Sequence, residues 1–175
     1  MRGDKLKKLI YAALFAALTY AATNLLRIPS PVTGGYKNLG DGMVLLGGLL
    51  LGPVYGAAAG GIGSMLGDLL LGYLYYVPGT FVIKAAMALC MALLYRRLRT
   101  RMPQTLACVL SGIAAECVMV AGYFCYSCFA LGVGVAALAS VPGNLAQGVV
   151  GVVFSTALCQ VVARVPALRR EFPSL

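Results

Sequence analysis

The fold is decided by residues 41–71, which read DGMVLLGGLLLGPVYGAAAGGIGSMLGDLLL. This stretch is apolar and rich in glycine and alanine, and its charged residues are Asp41 and Asp68. Gly52-Pro53 interrupts it, because proline has no N–H for continuous helical hydrogen bonding. We therefore predict two membrane helices here, over residues 41–51 and 54–71, which pack closely through their small residues.

The whole chain of 175 residues shares this apolar character. Hydrophobic residues make up 61% of it and charged residues 11%, whereas a soluble domain carries about 25% charged residues. Because so little charge cannot cover a water-exposed surface, we expect lipid to cover most of the protein. At about 20 residues per span, the length allows about six spans. The prediction is an all-α integral membrane protein with a single six-helix domain, residues 1–175.

Four further apolar runs complete this count, and they cover residues 6–26, 78–95, 105–131 and 142–163. The first run is also compatible with a signal peptide, but it is long for a signal and further membrane helices follow it. We therefore expect a retained helix. Prolines and glycines interrupt residues 27–40 and predict a loop rather than a continuous helix.

Basic residues are concentrated in three places, residues 2–8, 96–101 and 164–170. Six spans place all three on one side of the membrane, which the positive-inside rule identifies as the cytoplasm. The net charge of +9 is therefore attributed to orientation and to anionic lipids rather than to nucleic acid. The 27–40 loop and the turns at 73–77 and 132–141 then share the outer face.

Polar residues in and beside the later spans indicate a pocket. Ionisable side chains are costly in lipid and usually face a cavity or a partner. The candidate substrate-binding residues are Tyr36, Asn38, Lys84, Glu116, Tyr123, Tyr126, Asn144 and Gln147. Tyrosine rings, amides and charges together suit a flat, polar heterocycle. A short repeated motif, VPGT at residues 77–80 and VPGN at residues 141–144, begins two of the spans at their outer ends.

The charged residues could instead have structural roles that involve no substrate. Lys84 and Glu116 could form a buried ion pair that only determines helix packing. Asp41 could cap the second helix, because an acid is favoured near a helix N-terminus. Asp68 could lie at a water-exposed helix end.

The six cysteines lie in or beside apolar runs. Cys125 and Cys128 have CxxC spacing, but the chain has no histidine and no second such pair to complete a zinc site. We expect the cysteines to pack between helices as small apolar residues. The sequence therefore predicts no metal site and no cofactor.

Small residues in the first span form overlapping small-xxx-small patterns through Ala12, Ala13, Ala16 and Ala17. Such rows let helix backbones approach closely in lipid. They favour either packing within the monomer or a docking surface for another membrane protein. For the glycine rows of residues 41–71, we expect packing within the monomer.

Three segments are similar to the substrate-binding (S) components of energy-coupling factor (ECF) transporters, in the branch associated with B-vitamins and their precursors. They are residues 50–53 (LLGP), residues 67–70 (GDLL) followed by 78–80 (PGT) and Lys84, and residues 142–147 (PGNLAQ). The resemblance covers essentially the whole chain, including its size and its long loop after the first span.

This resemblance implies that the chain captures a substrate from outside the cell membrane of a prokaryote. It also implies docking onto a membrane coupling subunit that works with two ATPase subunits, through the pairs Ala12–Ala16 and Ala13–Ala17. Residues 29–40 would close over the substrate as a lid. The chain contains no GxxxxGK[ST] phosphate loop, so we expect ATP hydrolysis on the partners and no enzyme activity in this subunit.

The sequence indicates the class of protein more closely than it indicates the substrate. The chain has no tryptophan, so tyrosines would stack on the ligand, and vitamin B6 or a thiamine-precursor pyrimidine is favoured over riboflavin or another vitamin. Two other functional classes are alternatives to a transport component. One is a non-transporting membrane scaffold of similar six-helix design. The other is an intramembrane enzyme, for which no spacing shows a nucleophile–base pair.

Overall fold

The computed structural model describes residues 2–172, with side chains from residue 5, so residue 1 and residues 173–175 of the predicted domain lie outside the described range. Seven α-helices occur within that range. They are α1 (Arg2–Leu25), α2 (Gly40–Leu51), α3 (Pro53–Leu70), α4 (Val77–Arg99), α5 (Gln104–Cys125), α6 (Val141–Arg164) and α7 (Pro166–Glu171). A π-helical turn, Tyr126–Ala130, extends α5, and a 3-10 helix, Gly134–Ser140, leads into α6. The expectation of a helical membrane protein is confirmed.

Four helical segments are long and apolar enough to cross a membrane: Lys5–Leu25, Val77–Arg99, Gln104–Ala130 and Gly134–Arg164. With 12 residues, α2 is about 18 Å long by helix rise and shorter than the hydrocarbon core. Helix α3 has 18 residues, but glycines, a serine and Asp68 lower its hydropathy. The number of six spans stays a prediction.

Helix α2 lies at the centre of the bundle. Helices α1, α3, α4 and α6 all pack against it, and Val44 and Leu45 are fully buried. A helix that is apolar on every side belongs in an interior, which is how the sequence of α2 reads. The central position of α2 also brings its one acid, Asp41, into the interior.

Glycines allow the three central helices to approach closely. A Cβ atom at Gly48 would lie 2.5 Å from the carbonyl oxygen of Ala88 on α4. A Cβ atom at Gly56 on α3 would lie 2.6 Å from the Cα atom of Gly48. These neighbours are backbone atoms, which cannot move aside as a flexible side chain can. The glycine rows therefore serve packing within the monomer, as the sequence predicts.

The loop after α1 contains a β-hairpin that the sequence reasoning missed. Strand β1 (Arg27–Ser30) pairs antiparallel with β2 (Gly35–Asn38). Gly34 takes the left-handed conformation that the turn requires, with φ of 68°. Pro29 fits into β1, because both strands of a two-stranded hairpin are edge strands, where proline is tolerated. We call residues 27–38 the lid hairpin, because they cover one end of the helices.

The opposite end of the bundle, here the arginine end, gathers the start of α1, the end of α4 and the C-terminal segment. Tyr11 donates a hydrogen bond to Glu171 at 3.0 Å, and its ring packs against Phe172 at 5.3 Å. Lys7 forms an ion pair with Glu171. Hydrogen bonds from Lys7 and Tyr11 hold the pKa of the Glu171 carboxyl below its ordinary value. The three basic regions thus share one end, whereas their position in the cytoplasm stays a prediction.

Replacing Gly56 by alanine tests the close approach of α2 and α3. We expect Gly56→Ala to lower the free energy of unfolding by about 1–3 kcal/mol, the usual cost of overpacking, although alanine is the better helix former. The measurement is thermal unfolding in detergent. Ala58→Val, at an exposed position of the same helix, is the control and should change little. Equal stability of Gly56→Ala and the unmodified protein would contradict the packing described.

Candidate functional site

A small polar cavity lies beneath the lid hairpin. Its volume is about 30 Å³, room for one or two water molecules. The lining residues come from the hairpin and from the neighbouring ends of α3 to α6: Thr33, Gly35, Tyr36, Lys37, Asn38, Asp68, Tyr76, Thr80, Tyr123, Ser127, Ser140, Asn144 and Gln147. The cavity therefore combines tyrosine rings with amide, hydroxyl, ammonium and carboxyl groups.

Part of the predicted set lines this cavity, namely Tyr36, Asn38, Tyr123, Asn144 and Gln147. Asn144 and Gln147 are both buried near the start of α6, and their i, i+3 spacing puts them on one face. Contact of these side chains with a substrate stays a prediction.

Lys84 lies below the cavity rather than in its wall. Its ammonium group forms an ion pair with Asp41, and the two side chains are 2% and 1% exposed. The same nitrogen lies 5.3 Å from the ring centroid of Tyr123. Pairing of Lys84 with Glu116 is therefore wrong, because the ammonium group of Lys84 pairs with Asp41 of α2 instead. Asp41 does lie in the first turn of α2, where an acid is favoured, but it makes no capping hydrogen bond, and its carboxylate pairs with Lys84.

Gln147 connects this ion pair to the lid hairpin. Its Nε2 donates to Oδ2 of Asp41 at 2.6 Å. Its Oε1 accepts a hydrogen bond from the backbone N–H of Asn38 at 2.8 Å. One amide side chain therefore contacts both the charged floor of the site and the strand that covers it.

Two tyrosines tie the lid hairpin to the helices. Tyr36 donates to Asp68 at 2.8 Å, and Tyr76 donates to the carbonyl oxygen of Thr33 at 2.6 Å. Asp68 is 4% exposed, so the water-exposed position considered for it is wrong. Burial raises the pKa of Tyr36, and the Asp68 carboxylate adds to that rise. Tyr36 therefore stays a hydrogen-bond donor at physiological pH.

Two predicted residues lie outside the cavity wall. Glu116 is buried against Gly148 and Gly151 of α6, which cover the face that it shares with Tyr123. The hydroxyl group of Tyr126 donates to the carbonyl oxygen of Tyr75 at 2.6 Å. Tyr126 begins the π-helical turn that follows α5.

Several lining residues escaped the sequence reasoning, chiefly those with hydroxyl groups and Lys37. The repeated motif of residues 77–80 and 141–144 could have indicated Thr80 as a lining residue, because it places Thr80 at the position that corresponds to Asn144. Thr80 shares a hydrogen bond with the hydroxyl group of Tyr123 at 3.0 Å. Lys37 is half-buried, and burial lowers the pKa of its ammonium group.

A separate apolar groove runs between α1 and α3, with a volume of about 810 Å³. Ala13 and Ala17 are exposed in it. The groove is lined by Leu9, Ala12, Ala13, Ala16, Ala17, Tyr20, Val54, Tyr55, Ala58, Ala59, Ile62, Leu66 and Leu70. The alanine row predicted for docking is therefore open at the bundle surface, whereas docking itself stays a prediction.

The described residues thus form an apolar helical bundle with a covered polar cavity at one end. The chain belongs to the family described as ECF-type riboflavin transporter, S component, whose model matches residues 3–164. This confirms the resemblance to S components. Members of this class bind a vitamin and work with a coupling module and ATPases.

A curated relative from Pyrococcus woesei is 35% identical to this chain over 136 residues, which are 78% of this chain and 88% of the relative. Its name is "Uncharacterized protein in gap 3'region". The match extends along most of both chains and adds no substrate.

Removing one partner of the Asp41–Lys84 pair tests the charged floor of the site. Lys84→Met should lower the free energy of unfolding by about 3–5 kcal/mol, because it leaves a buried carboxylate uncompensated. The double variant Asp41→Asn/Lys84→Met should recover most of this loss. Thermal unfolding in detergent measures both. Lys37→Met, a change at a half-buried lysine, is the control, and equal melting of the single and double variants would contradict the pairing.

Proposed function

We propose that this protein is the substrate-capture subunit of an ECF-type vitamin uptake transporter. The observation that carries the proposal is the polar cavity beneath the lid hairpin, in a chain that belongs to an S-component family. In this proposal the chain crosses the cell membrane of a prokaryote six times, with both termini in the cytoplasm. The basic residues at the arginine end support this orientation.

Capture requires the lid hairpin to move. The cavity of about 30 Å³ is far smaller than ligand pockets, which measure about 300–1,000 Å³. Three hydrogen bonds tie the hairpin to different elements, through Tyr36, Tyr76 and Asn38. Each contributes about 1 kcal/mol, so opening costs only a few kcal/mol, and hydrogen bonds to the substrate can replace those that opening breaks.

Riboflavin is the first substrate that we propose. The family description names it, and its flat ring system carries N–H and carbonyl groups that amides can pair with. The chain has no tryptophan, so stacking would fall to Tyr36, Tyr76 and Tyr123. Asn144 and Gln147 would supply the directional hydrogen bonds.

A single-ring heterocycle, vitamin B6 or a thiamine-precursor pyrimidine, is the second candidate. The small volume of the cavity favours it, because one ring needs a smaller outward movement of the lid hairpin than three fused rings do. The same tyrosines and amides would serve, so a binding experiment has to separate the two candidates.

Native mass spectrometry of the gently purified protein, followed by thermal-shift titration, tests the proposal. A bound flavin with saturable stabilisation by riboflavin would support the first candidate, and a bound pyridine or pyrimidine the second. No bound molecule and no shift with any of these vitamins would contradict capture and favour the non-transporting scaffold.

The apolar groove between α1 and α3 is the proposed docking surface for the membrane coupling subunit. Ala12, Ala13, Ala16 and Ala17 present small side chains there, which allow another helix to approach closely in lipid. Two ATPase subunits would hydrolyse ATP on the cytoplasmic side. This subunit itself would bind and deliver the substrate without enzyme activity.

Asn144→Ala should weaken binding of the substrate by about 5- to 150-fold, since a lost hydrogen bond in a buried site costs about 1–3 kcal/mol. The measurement is titration of the purified protein with the vitamin found by mass spectrometry. Asn24→Ala is the matched control, because the Asn24 amide bonds to the carbonyl oxygen of Tyr20 in its own helix at 2.8 Å. Unchanged affinity of Asn144→Ala would remove Asn144 from the binding site.

Ala17→Trp should abolish vitamin uptake by cells while the affinity of the purified protein for the vitamin stays unchanged. The reason is that the indole would fill the groove at a distance from the cavity. Leu14→Trp is the control, because Leu14 is exposed on α1 but outside the groove lining, and it should retain uptake. Normal uptake with Ala17→Trp would contradict docking in this groove.

A further inference from the structure

Glu116 is a buried carboxyl group outside the wall of the polar cavity. It is 6% exposed, and neither of its oxygens has a hydrogen-bond partner in the described part of the chain. A Cβ atom at Gly151 would lie 3.1 Å from Cβ of Asp41 and 2.5 Å from Oε1 of Glu116. The two acidic side chains therefore meet across the bare backbone of α6.

The hydrogen-bond donors near this pair already interact with Asp41. Lys84 forms its ion pair with Asp41, and the amide of Gln147 donates to the other oxygen of Asp41. On its own helix Glu116 has Cys117 and Tyr123 as titratable neighbours, and α6 faces it with glycines. Asp41 and Lys84 are the charged side chains that act on Glu116 electrostatically.

An ionised Glu116 would place a second negative charge beside a single ammonium group. The effective cost of burying an uncompensated ion is several kcal/mol, and two adjacent carboxyl groups avoid ionising together. A neutral carboxylic acid removes that charge and gains a proton that can be donated to a carboxylate. We infer that Glu116 and Asp41 form a proton-binding site inside the helix bundle, in which Glu116 holds the proton and Asp41 stays ionised beside Lys84.

This site is linked to the lid hairpin through Gln147, which bonds to both Asp41 and the backbone of Asn38. Loss of the proton would set two carboxylates against each other where α2, α5 and α6 meet. Because the buried site would then hold an uncompensated negative charge, we expect the stability of the bundle to fall as the pH rises and Glu116 gives up its proton. The inference does not rest on the identity of the vitamin.

Infrared difference spectroscopy of wild-type protein against Glu116→Gln tests the site. At neutral pH we expect the wild type to show the carbonyl band of a carboxylic acid, with a shift in D₂O, and Glu116→Gln to lack it. Glu171→Gln is the matched control and should retain the band. Glu171 lies at the arginine end, where its partly exposed carboxyl group is paired with Lys7. If Glu116→Gln does not fold, Glu116→Asp serves instead, and the band should move in frequency but persist.

Thermal unfolding as a function of pH gives a second readout. From mildly acidic to mildly alkaline pH, the wild type should lose stability relative to Glu116→Gln, and Glu171→Gln should follow the wild type. No band that depends on Glu116 at neutral pH would overturn the inference. A missing band together with stabilisation by sodium or potassium ions would also overturn it, because Glu116 would then be ionised beside a cation.

Discussion

An ion pair between Asp41 of α2 and Lys84 of α4 lies in the middle of the bundle, where neither side chain contacts water. A lone charge there would cost several kcal/mol, so each partner requires the other and the two helices must hold one register. Glycines at the helix contacts bring the backbones close enough for this pairing. Gln147 then ties the same Asp41 to α6 and to the lid hairpin. The polar core therefore aligns four elements that apolar packing alone would leave free to slide.

The lid hairpin rests on this core through polar contacts to several elements, and the ring of Tyr36 also packs against Tyr73 at 4.7 Å. Tyr36 and Tyr76 form two of these contacts, to Asp68 and to Thr33. Individual hydrogen bonds are weak in net terms and exchange readily with those of a ligand or of water. The opening that we propose would break these hydrogen bonds of the hairpin rather than the contacts between the helices.

Binding and docking are assigned to different parts of the molecule. The cavity lies at the lid end, whereas the alanine groove runs along α1 and α3 at the bundle surface. The arginine end is braced by the contacts of Lys7 and Tyr11 with Glu171. The two linings share no residue, so the proposed binding site and the proposed docking surface are separate.

The sequence by itself determined the membrane class, the helical segments and part of the cavity lining, because hydropathy, helix punctuation and i, i+3 spacing are local properties. Asn144 and Gln147 were found in this way. Only the tertiary structure decided that Lys84 pairs with Asp41 and that Glu116 is covered by α6, since the partner of a buried charge depends on which distant segments the fold brings together. The hairpin likewise could not be predicted from the sequence, because contacts with other elements stabilise it rather than local strand preference.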